Sequence, residues 1–600
     1  MKLTDFIIDF LTRQGVDTVF GLTGGAVVHF FDSAAKHPGL KPVFCHHEQA
    51  AALAAPAYAK IRNSPGACIV TTGPGGTNAL TGVIGAWQDS VPCFYISGQT
   101  RLAHTSRGKP VRQVGSQELD ILALVEPVTN YAALVERADS IRYHLEKAAF
   151  LATAGRPGPV WLDIPLDLQW AEVDPETMTG FDPDSEFAVV GEIDLTGLVN
   201  ECRDLLAAAK RPLILAGYGI RLASAEKEFS QLVDELQVPF VSSWAACDLL
   251  PTDHPGYVGR CGLAGQRGAN LAVQNCDLLL AIGSHLSVPL TGTNFDYFAR
   301  EAKRIVVDID HNELAHPTVR VDLGIAADAG DFLRKITESD LISGLSDDWL
   351  EQCRVYRKYN AYPAEWIERS GPVNQYVFLQ ALDAQLTAAD TVVVDGGGTV
   401  VYTTFQALKM KAGQRILYSG GIGAMGSGLP ESVGATFAST GGRTICMMGD
   451  GSFQFNIQEL QTIRHHNLLV KIFVFNNDGY LSIRHTQAEF LEGNFAGSAT
   501  AGGMSLPDYQ KVAAAYEIPA TRVASQAELQ EKIRWTLDQP GPAICEIMID
   551  PRQELIPRQG FVRRPDGTGF ARPLEDMYPY LDREEFRGLM IVEPLEVSRD

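Results

Sequence analysis

MMGDGSFQFNIQEL, residues 447–460, is the stretch whose reading decides the fold. It opens as a short apolar run, breaks at Gly449-Asp450-Gly451, and restarts with Phe453, Ile457 and Leu460 at helical spacing, Ser452 being the expected cap. A buried strand that delivers a glycine loop into a helix is the repeating unit of a parallel α/β sheet, and ligands bind at the carboxyl ends of such strands. Glycines let the backbone approach a ligand, and a helix start presents free N–H groups, which together suit a diphosphate. Asp450 stands where a hard cation bridging that diphosphate needs a carboxylate. A second apolar run, LLVKIFVFNN (468–477), ends in Asn476-Asn477-Asp478-Gly479, which puts Asn477 27 residues after Asp450. Singly, residues 449–452 also read as a tight turn and residues 477–479 as a hairpin or loop turn. Jointly, each after a buried strand, they bring oxygen ligands for one magnesium ion to one sheet edge.

Working outward, the same unit contains DTVVVDGGG (390–398), whose Gly396-Gly397-Gly398 loop is either the other wall of a diphosphate cradle or a simple turn. Residues 1–180 repeat the pattern, with an Ala-rich helix from Glu48 and the runs ACIVTT (67–72), PCFYISG (92–98) and PVWLDIP (159–165). Residues 188–345 do so again, with RPLILAGYG (211–219), CDLLLAIGS (276–284) and RIVVDID (304–310). An acidic, Pro-containing linker (174–187) and a bridge without sheet-like runs (347–371) separate the units. The expected fold class is α/β: three doubly wound parallel-sheet domains, at 1–180, 188–345 and 372–555, plus a C-terminal tail at 556–600. That tail carries Arg558, Arg563, Arg564 and Arg572, and is a candidate active-site lid or a solvated or subunit-contacting segment.

Composition narrows the function. The 600 residues are 46% hydrophobic with a net charge of −22, so a nucleic-acid partner is not expected, since phosphate backbones need a basic surface. The opening MKLTDFIIDFLTRQG has Asp5 and Asp9 inside its apolar pattern, and no apolar run reaches the ~18 residues of a membrane span, so neither export nor membrane insertion is expected. Ten cysteines without a C-x-x-C pair fit a reducing cytoplasm. An acidic protein that handles anions must use local devices: helix starts, metal ions and a few placed arginines.

The G-D-G and N-N pair resembles the thiamine-diphosphate motif, and residues from about Leu3 to Pro551 are similar to the acetolactate synthase branch of the thiamine-diphosphate enzymes. FCHHEQAAALAAPAYAK (44–60), TTGPGGTNALTGVIGAWQDSVPCFYISGQ (71–99) and SGGIGAMGSGLPESVGA (419–435) carry the likeness. The resemblance implies pyrimidine-binding, middle and diphosphate-binding domains, in that order. Glu48 is then the activating glutamate, and Asp450, the Asn477 side chain and the Gly479 carbonyl hold Mg2+. Met425 props the cofactor in its bent form while the Gly423 carbonyl takes its 4′-amino group. Pro74, Asn78, Gly397, Gly398, Thr399, Gly449, Gly451, Ser452 and Tyr480 are the remaining expected cofactor contacts, and Gln117 joins Glu48 as a catalytic candidate. Glu48 leads a nearly all-apolar helix, so desolvation is expected to raise its pKa and help it share a proton with the pyrimidine ring. His46 and His47 are candidate proton shuttles or satisfied polar groups, and Pro56 is expected to kink the helix.

The implied activity is a carboligase, a transferase or lyase that decarboxylates pyruvate or a related 2-keto acid and passes the acyl-anion equivalent to a carbonyl acceptor. Where the family has the block R-F-D-D-R-V-T-G this chain has HLSVPLTG (285–292), so the arginine that grips the second keto acid is Pro289. Ser116, Asn130 and Thr486 stand for a phenylalanine, a lysine and a tryptophan of the family. All four changes remove bulk or charge from the acceptor's place, which points to a larger neutral ketone or aldehyde, such as a keto-sugar nucleotide. Acetolactate synthase proper, a flavin-coupled pyruvate oxidase and a non-catalytic regulatory homologue are the alternatives. The middle unit, with GYVGRCGLAGQRGANLAV (256–273), lies where this branch holds FAD, although no G-x-G-x-x-G follows a strand there. In the family the two cofactor half-sites come from different subunits, which implies a homodimer or homotetramer.

Overall fold

A computed structural model describes residues 1–187, 194–338, 347–363, 366, 371–563 and 569–599. It contains three six-stranded sheets, parallel throughout. The first comprises β1 (Thr18–Gly21), β2 (Lys41–Phe44), β3 (Gly66–Val70), β4 (Cys93–Gln99), β5 (Tyr131–Leu134) and β6 (Pro159–Pro165) in the order β2-β1-β3-β4-β6-β5. The second comprises β7 (Pro212–Ala216), β8 (Phe240–Ser242), β9 (Tyr257–Arg260), β10 (Leu278–Ile282), β11 (Lys303–Asp308) and β12 (Leu323–Ala326), ordered β12-β11-β10-β7-β8-β9. The third comprises β13 (Thr391–Val394), β14 (Arg415–Tyr418), β15 (Thr444–Gly449), β16 (Val470–Asn476), β17 (Ala520–Val523) and β18 (Ala543–Met548), ordered β14-β13-β15-β16-β18-β17. The first and third sheets thus share one topology, and the expected α/β class is the observed one.

The near-continuous apolar runs follow from burial on both sheet faces. In β15, Cys446 and Met448 enter one core while Ile445 and Met447 enter another, the two-residue period of a strand sorting them. One core spans two layers: Cys68, Val70 and Tyr95 of the first sheet and Cys446, Met448 and Val474 of the third pack into the same cluster. Between them lie the Glu48–Arg62 and Gly428–Ala438 helices, which occupy equivalent places after β2 and β14. They approach so closely that a Cβ at Gly434 would lie 2.0 Å from the Ala54 carbonyl oxygen. Pro56 sits inside the first helix, which continues past it to Arg62. Proline lacks the N–H that would bond Ala52, and the Tyr95 hydroxyl donates to that carbonyl instead, at 2.9 Å.

The Gly428–Ala438 helix also buries Glu431, whose two carboxylate oxygens have no hydrogen-bond partner among the described residues. Nearby, Lys60 Nζ donates to Asp89 at 2.7 Å and to the Tyr418 carbonyl at 3.1 Å, tying the first layer to the third. Burial pushes the Glu431 carboxyl up to about 7. The folded state therefore holds a proton that the unfolded chain gives up nearer the ordinary carboxylate value of about 4.3, so stability falls as pH rises between those values. Glu431→Gln is expected to improve relative to wild type by on the order of 1–3 kcal/mol between pH 5 and pH 8. Chemical unfolding at both pH values measures this, and a pH-independent difference refutes it.

The tail is docked on the second unit along most of its length. Arg267 donates to the carbonyls of Met577 and Pro579, Tyr356 to that of Leu589, and buried Glu575 accepts from Gln274 and Arg300, each at 2.7 Å. Leu574 and Leu589 belong to the core of the second unit. All ten cysteines are buried and unpaired. Among the described residues, no helix is long and apolar enough to cross a membrane.

Candidate functional site

The strand ends of the third sheet converge as the spacing implies. Asp450 follows β15 and is 1% exposed. Its Oδ1 accepts from the Gly451 N–H at 2.7 Å, and its Oδ2 from the N–H groups of Asn477 and Gly479 at 2.9 and 3.0 Å. Burial pushes its carboxyl up to about 6 against the pull of those three donors. The 27-residue separation is thus closed by direct bonds between the two loops. Asn477 Oδ1 is buried and has no hydrogen-bond partner among the described residues. Such an orphan acceptor beside a carboxylate suits a hard, oxygen-seeking cation, so the residues present fit Mg2+. Gly451 is obligatory for a plain reason: a Cβ there would lie 2.2 Å from the Tyr480 ring.

The chain after Asp450 departs from expectation. Ser452 does not cap a long helix. Gly449 is the N-cap of a single turn, Asp450–Phe453, and a second helix begins only at Glu459. The break occurs because Asn456 adopts φ 70° and sends its amide to the Gly426 carbonyl and to Gln49 of the first layer, so a tertiary contact outcompetes helix continuation.

Two residues outside the expected set hold this cradle. Asp395, fully buried at the end of β13, accepts from the N–H groups of Gly426 and Gly428 on one oxygen and of Gly397 on the other. It thereby fixes the 396–398 loop against the loop carrying Gly423 and Met425, and burial pushes it up to about 6. A lone acid ending the run VVVD was its signal. Arg484 donates to the carbonyls of Asn477, Asp478 and Ser498, holding the metal-side loop from below. Gly398 caps the Thr399–Ala407 helix, and Thr399 Oγ1 accepts from Gln375. Met425 is 38% exposed, so its side chain is open to a ligand.

Glu48 belongs to the first layer. It is 8% exposed, in the first turn of the Glu48–Arg62 helix, and its Oε2 accepts from Asn78 Nδ2 at 3.0 Å. His47 is the N-cap of that helix, its Nδ1 accepting from the Gln49 N–H, and the His46 N–H donates to Glu459. Pro74 opens the Pro74–Gln88 helix behind Gly73 at φ 63°. A Cβ at Gly73 would meet the Gln117 carbonyl at 2.2 Å, and Gln117 itself is held at φ 59°, a costly conformation for a side chain with a Cβ.

A cavity of about 870 Å3 opens between the layers, against the carboxyl ends of β7, β10, β11 and β12. Pro289 and Thr486 line it. Asn130 serves elsewhere, its amide bonding the carbonyls of Leu151 and Arg156, while Ser116 sits on an exposed loop. The Lys and Arg residues lining the cavity are all paired: Lys60 with Asp89, Arg156 with Asp310 and Glu313, Arg415 with Asp248, and Arg558 with Glu489. Of the tail arginines, Arg572 is spoken for by Asp576 and the Tyr580 ring, so it is not free for a ligand diphosphate. Arg564 and the Arg563 side chain lie outside the described residues.

Comparison with known proteins agrees with this geometry. The family description "Thiamine pyrophosphate enzyme, N-terminal TPP binding domain" matches residues 1–124, the corresponding central domain residues 199–336, and the C-terminal TPP binding domain residues 396–547. A probable acetolactate synthase large subunit from Methanocaldococcus jannaschii is 32% identical over 92% of this chain and 93% of its own length. The acetolactate synthase isozyme 2 large subunit of Escherichia coli is 30% identical over 93% and 97%. The chloroplastic acetolactate synthase of Arabidopsis thaliana is 30% identical over 93% and 82%. This chain belongs to the thiamine pyrophosphate enzyme family, as an acetolactate synthase-like enzyme that acts on carbon–carbon bonds with thiamine diphosphate.

Proposed function

We propose that the enzyme decarboxylates pyruvate or a related 2-keto acid and joins the remaining unit to a carbonyl acceptor whose reacting end is neutral. One observation carries this reading: every Lys and Arg lining the cavity already holds a carboxylate, and the family's arginine position is Pro289, whose carbonyl accepts from the Leu263 N–H. A second keto acid would find no unengaged cation there for a bidentate grip. Thiamine diphosphate, when bound, supplies the electron sink for decarboxylation. Asp450, Asn477 and the Gly479 carbonyl would hold its magnesium, the 396–398 loop and the start of the Thr399–Ala407 helix would face its diphosphate, and Gly423 and Met425 would shape its bend. Glu48 would hold a proton at its pyrimidine ring.

The two half-sites are read as coming from different copies of the chain. The Glu48 carboxylate meets Asn78 and Gly75 at the start of the Pro74–Gln88 helix, whereas Ile422 lies 3.4 Å from a Cβ built at Gly85 and Gly421 abuts Gln88 at its far end. Ten helical residues span roughly 15 Å. The reading therefore includes a homodimer or larger assembly in which Glu48 of one copy serves the Gly423 loop of another. The cavity also supports FAD in the middle unit: its volume is of ligand-site size, bare backbone meets at Gly217 and Gly283, and Asp308 and Asp328 stand at strand ends where ribose hydroxyls bind.

The test is a product survey: holoenzyme, pyruvate and panels of aldehydes, ketones and keto acids, with products identified by mass. Cross-products with neutral carbonyls should exceed acetolactate; dominant acetolactate returns the enzyme to acetolactate synthase proper. A flavin that bleaches on adding pyruvate would favour the oxidase instead.

A further inference from the structure

In a chain of net charge −22, residues 101–117 carry Arg101, Arg107, Lys109 and Arg112 and no Asp or Glu. Their placement is built rather than loose. Glu118, 5% exposed, accepts from the Ser106 N–H and hydroxyl at 2.9 and 2.7 Å and from the Val114 N–H at 3.1 Å. One buried carboxylate thus clamps both limbs of the 106–114 loop and leaves its tip in solvent. Lys109 is turned inward onto the Thr105 carbonyl at 2.7 Å. Arg107 and Arg112 are exposed and make no ion pair or hydrogen bond among the described residues. The returning limb runs straight into Gln117, whose carbonyl lies over Gly73 at the start of the Pro74–Gln88 helix, the helix whose Asn78 bonds Glu48. Two exposed guanidinium groups therefore lie on the loop that leads to the Glu48 half-site, while each Lys and Arg lining the cavity is paired with a carboxylate.

We infer that the 106–114 loop binds a phosphate or diphosphate group carried by the acceptor, remote from its reacting carbonyl. This rests on the carboligase reading above. Guanidinium forks match phosphate oxygens bidentately, and an exposed tip lets them reach a group still in the channel mouth. An anionic handle on one copy's loop and a neutral carbonyl beside Pro289 of the copy whose Gly423 loop that Glu48 serves would be the two ends of one substrate. Local positive potential on an acidic protein would also raise the capture rate of such an anion, an effect that salt weakens.

Titration calorimetry on the holoenzyme without keto acid tests this, with glyceraldehyde 3-phosphate, glyceraldehyde and inorganic phosphate as probes. Wild type should bind the phosphorylated aldehyde at least ten-fold tighter than either other probe. The double variant Arg107→Ala, Arg112→Ala should reduce that preference to two-fold or less. No preference in wild type, or one that survives in the variant, overturns the proposal; equal binding of inorganic phosphate assigns the loop to the free ion and overturns the acceptor role. Release of CO2 from pyruvate without acceptor is the separate control. Its absence in wild type sinks the carboligase reading while calorimetry still decides the loop, and the double variant should retain it.

Discussion

Glu48→Gln is expected to bind thiamine diphosphate within a few-fold of wild type yet consume pyruvate about 100- to 10,000-fold more slowly, the range that a positioned proton-transferring group supplies. Glutamine keeps the shape and can still accept from Asn78, whose amide meets Glu48 Oε2 at 3.0 Å. What it lacks is an acidic proton to share with a ring nitrogen. Stopped assays of pyruvate consumption at saturating cofactor, with affinity measured separately by calorimetry, separate the two effects. Wild-type turnover in the variant would remove Glu48 from the chemistry.

At the other half-site, Asp450→Asn should weaken magnesium-dependent cofactor binding at least 100-fold and also lower the unfolding temperature of the apoprotein. The carboxylate satisfies three backbone donors on two oxygens. An amide presents one acceptor and one donor group, which leaves at least one N–H facing another at about 1–3 kcal/mol, besides removing the charge a cation needs. Asn477→Ala supplies the contrast. It deletes an oxygen that has no partner among the described residues, so apoprotein stability should hardly change while magnesium-dependent affinity falls ten-fold or more. If Asn477→Ala binds magnesium and cofactor normally, the metal placement is wrong; if it unfolds the apoprotein, Asn477 is structural.

The meeting of the two strand-end loops was legible because their chemistry is local. Gly449-Asp450-Gly451 and Asn477 each end a buried strand, so strand pairing of β15 with β16 brings them side by side. Apolar runs likewise gave the sheets, since strands buried on both faces are mostly apolar, with a few paired exceptions such as Asp163 and Lys471. What misled was a helix drawn through residues 452–460, where local pattern favoured continuation and the distant partners of Asn456 broke it. Asn130 was read as part of the acceptor pocket from motif position, whereas its amide is spent on two carbonyls at the sheet edge.

By itself, then, the sequence determined the α/β class and the strand-end loops with the residue types proposed for a metal-bridged diphosphate, because strand period and loop composition are short-range properties. Only the tertiary structure decided which charges remain free. Arg558 was as basic in the sequence as Arg107, yet folding delivers Glu489 to the first, from 69 residues away, and leaves the second in solvent. Charge neutralisation depends on which distant side chains meet, and that is fixed by packing across layers rather than by spacing along the chain.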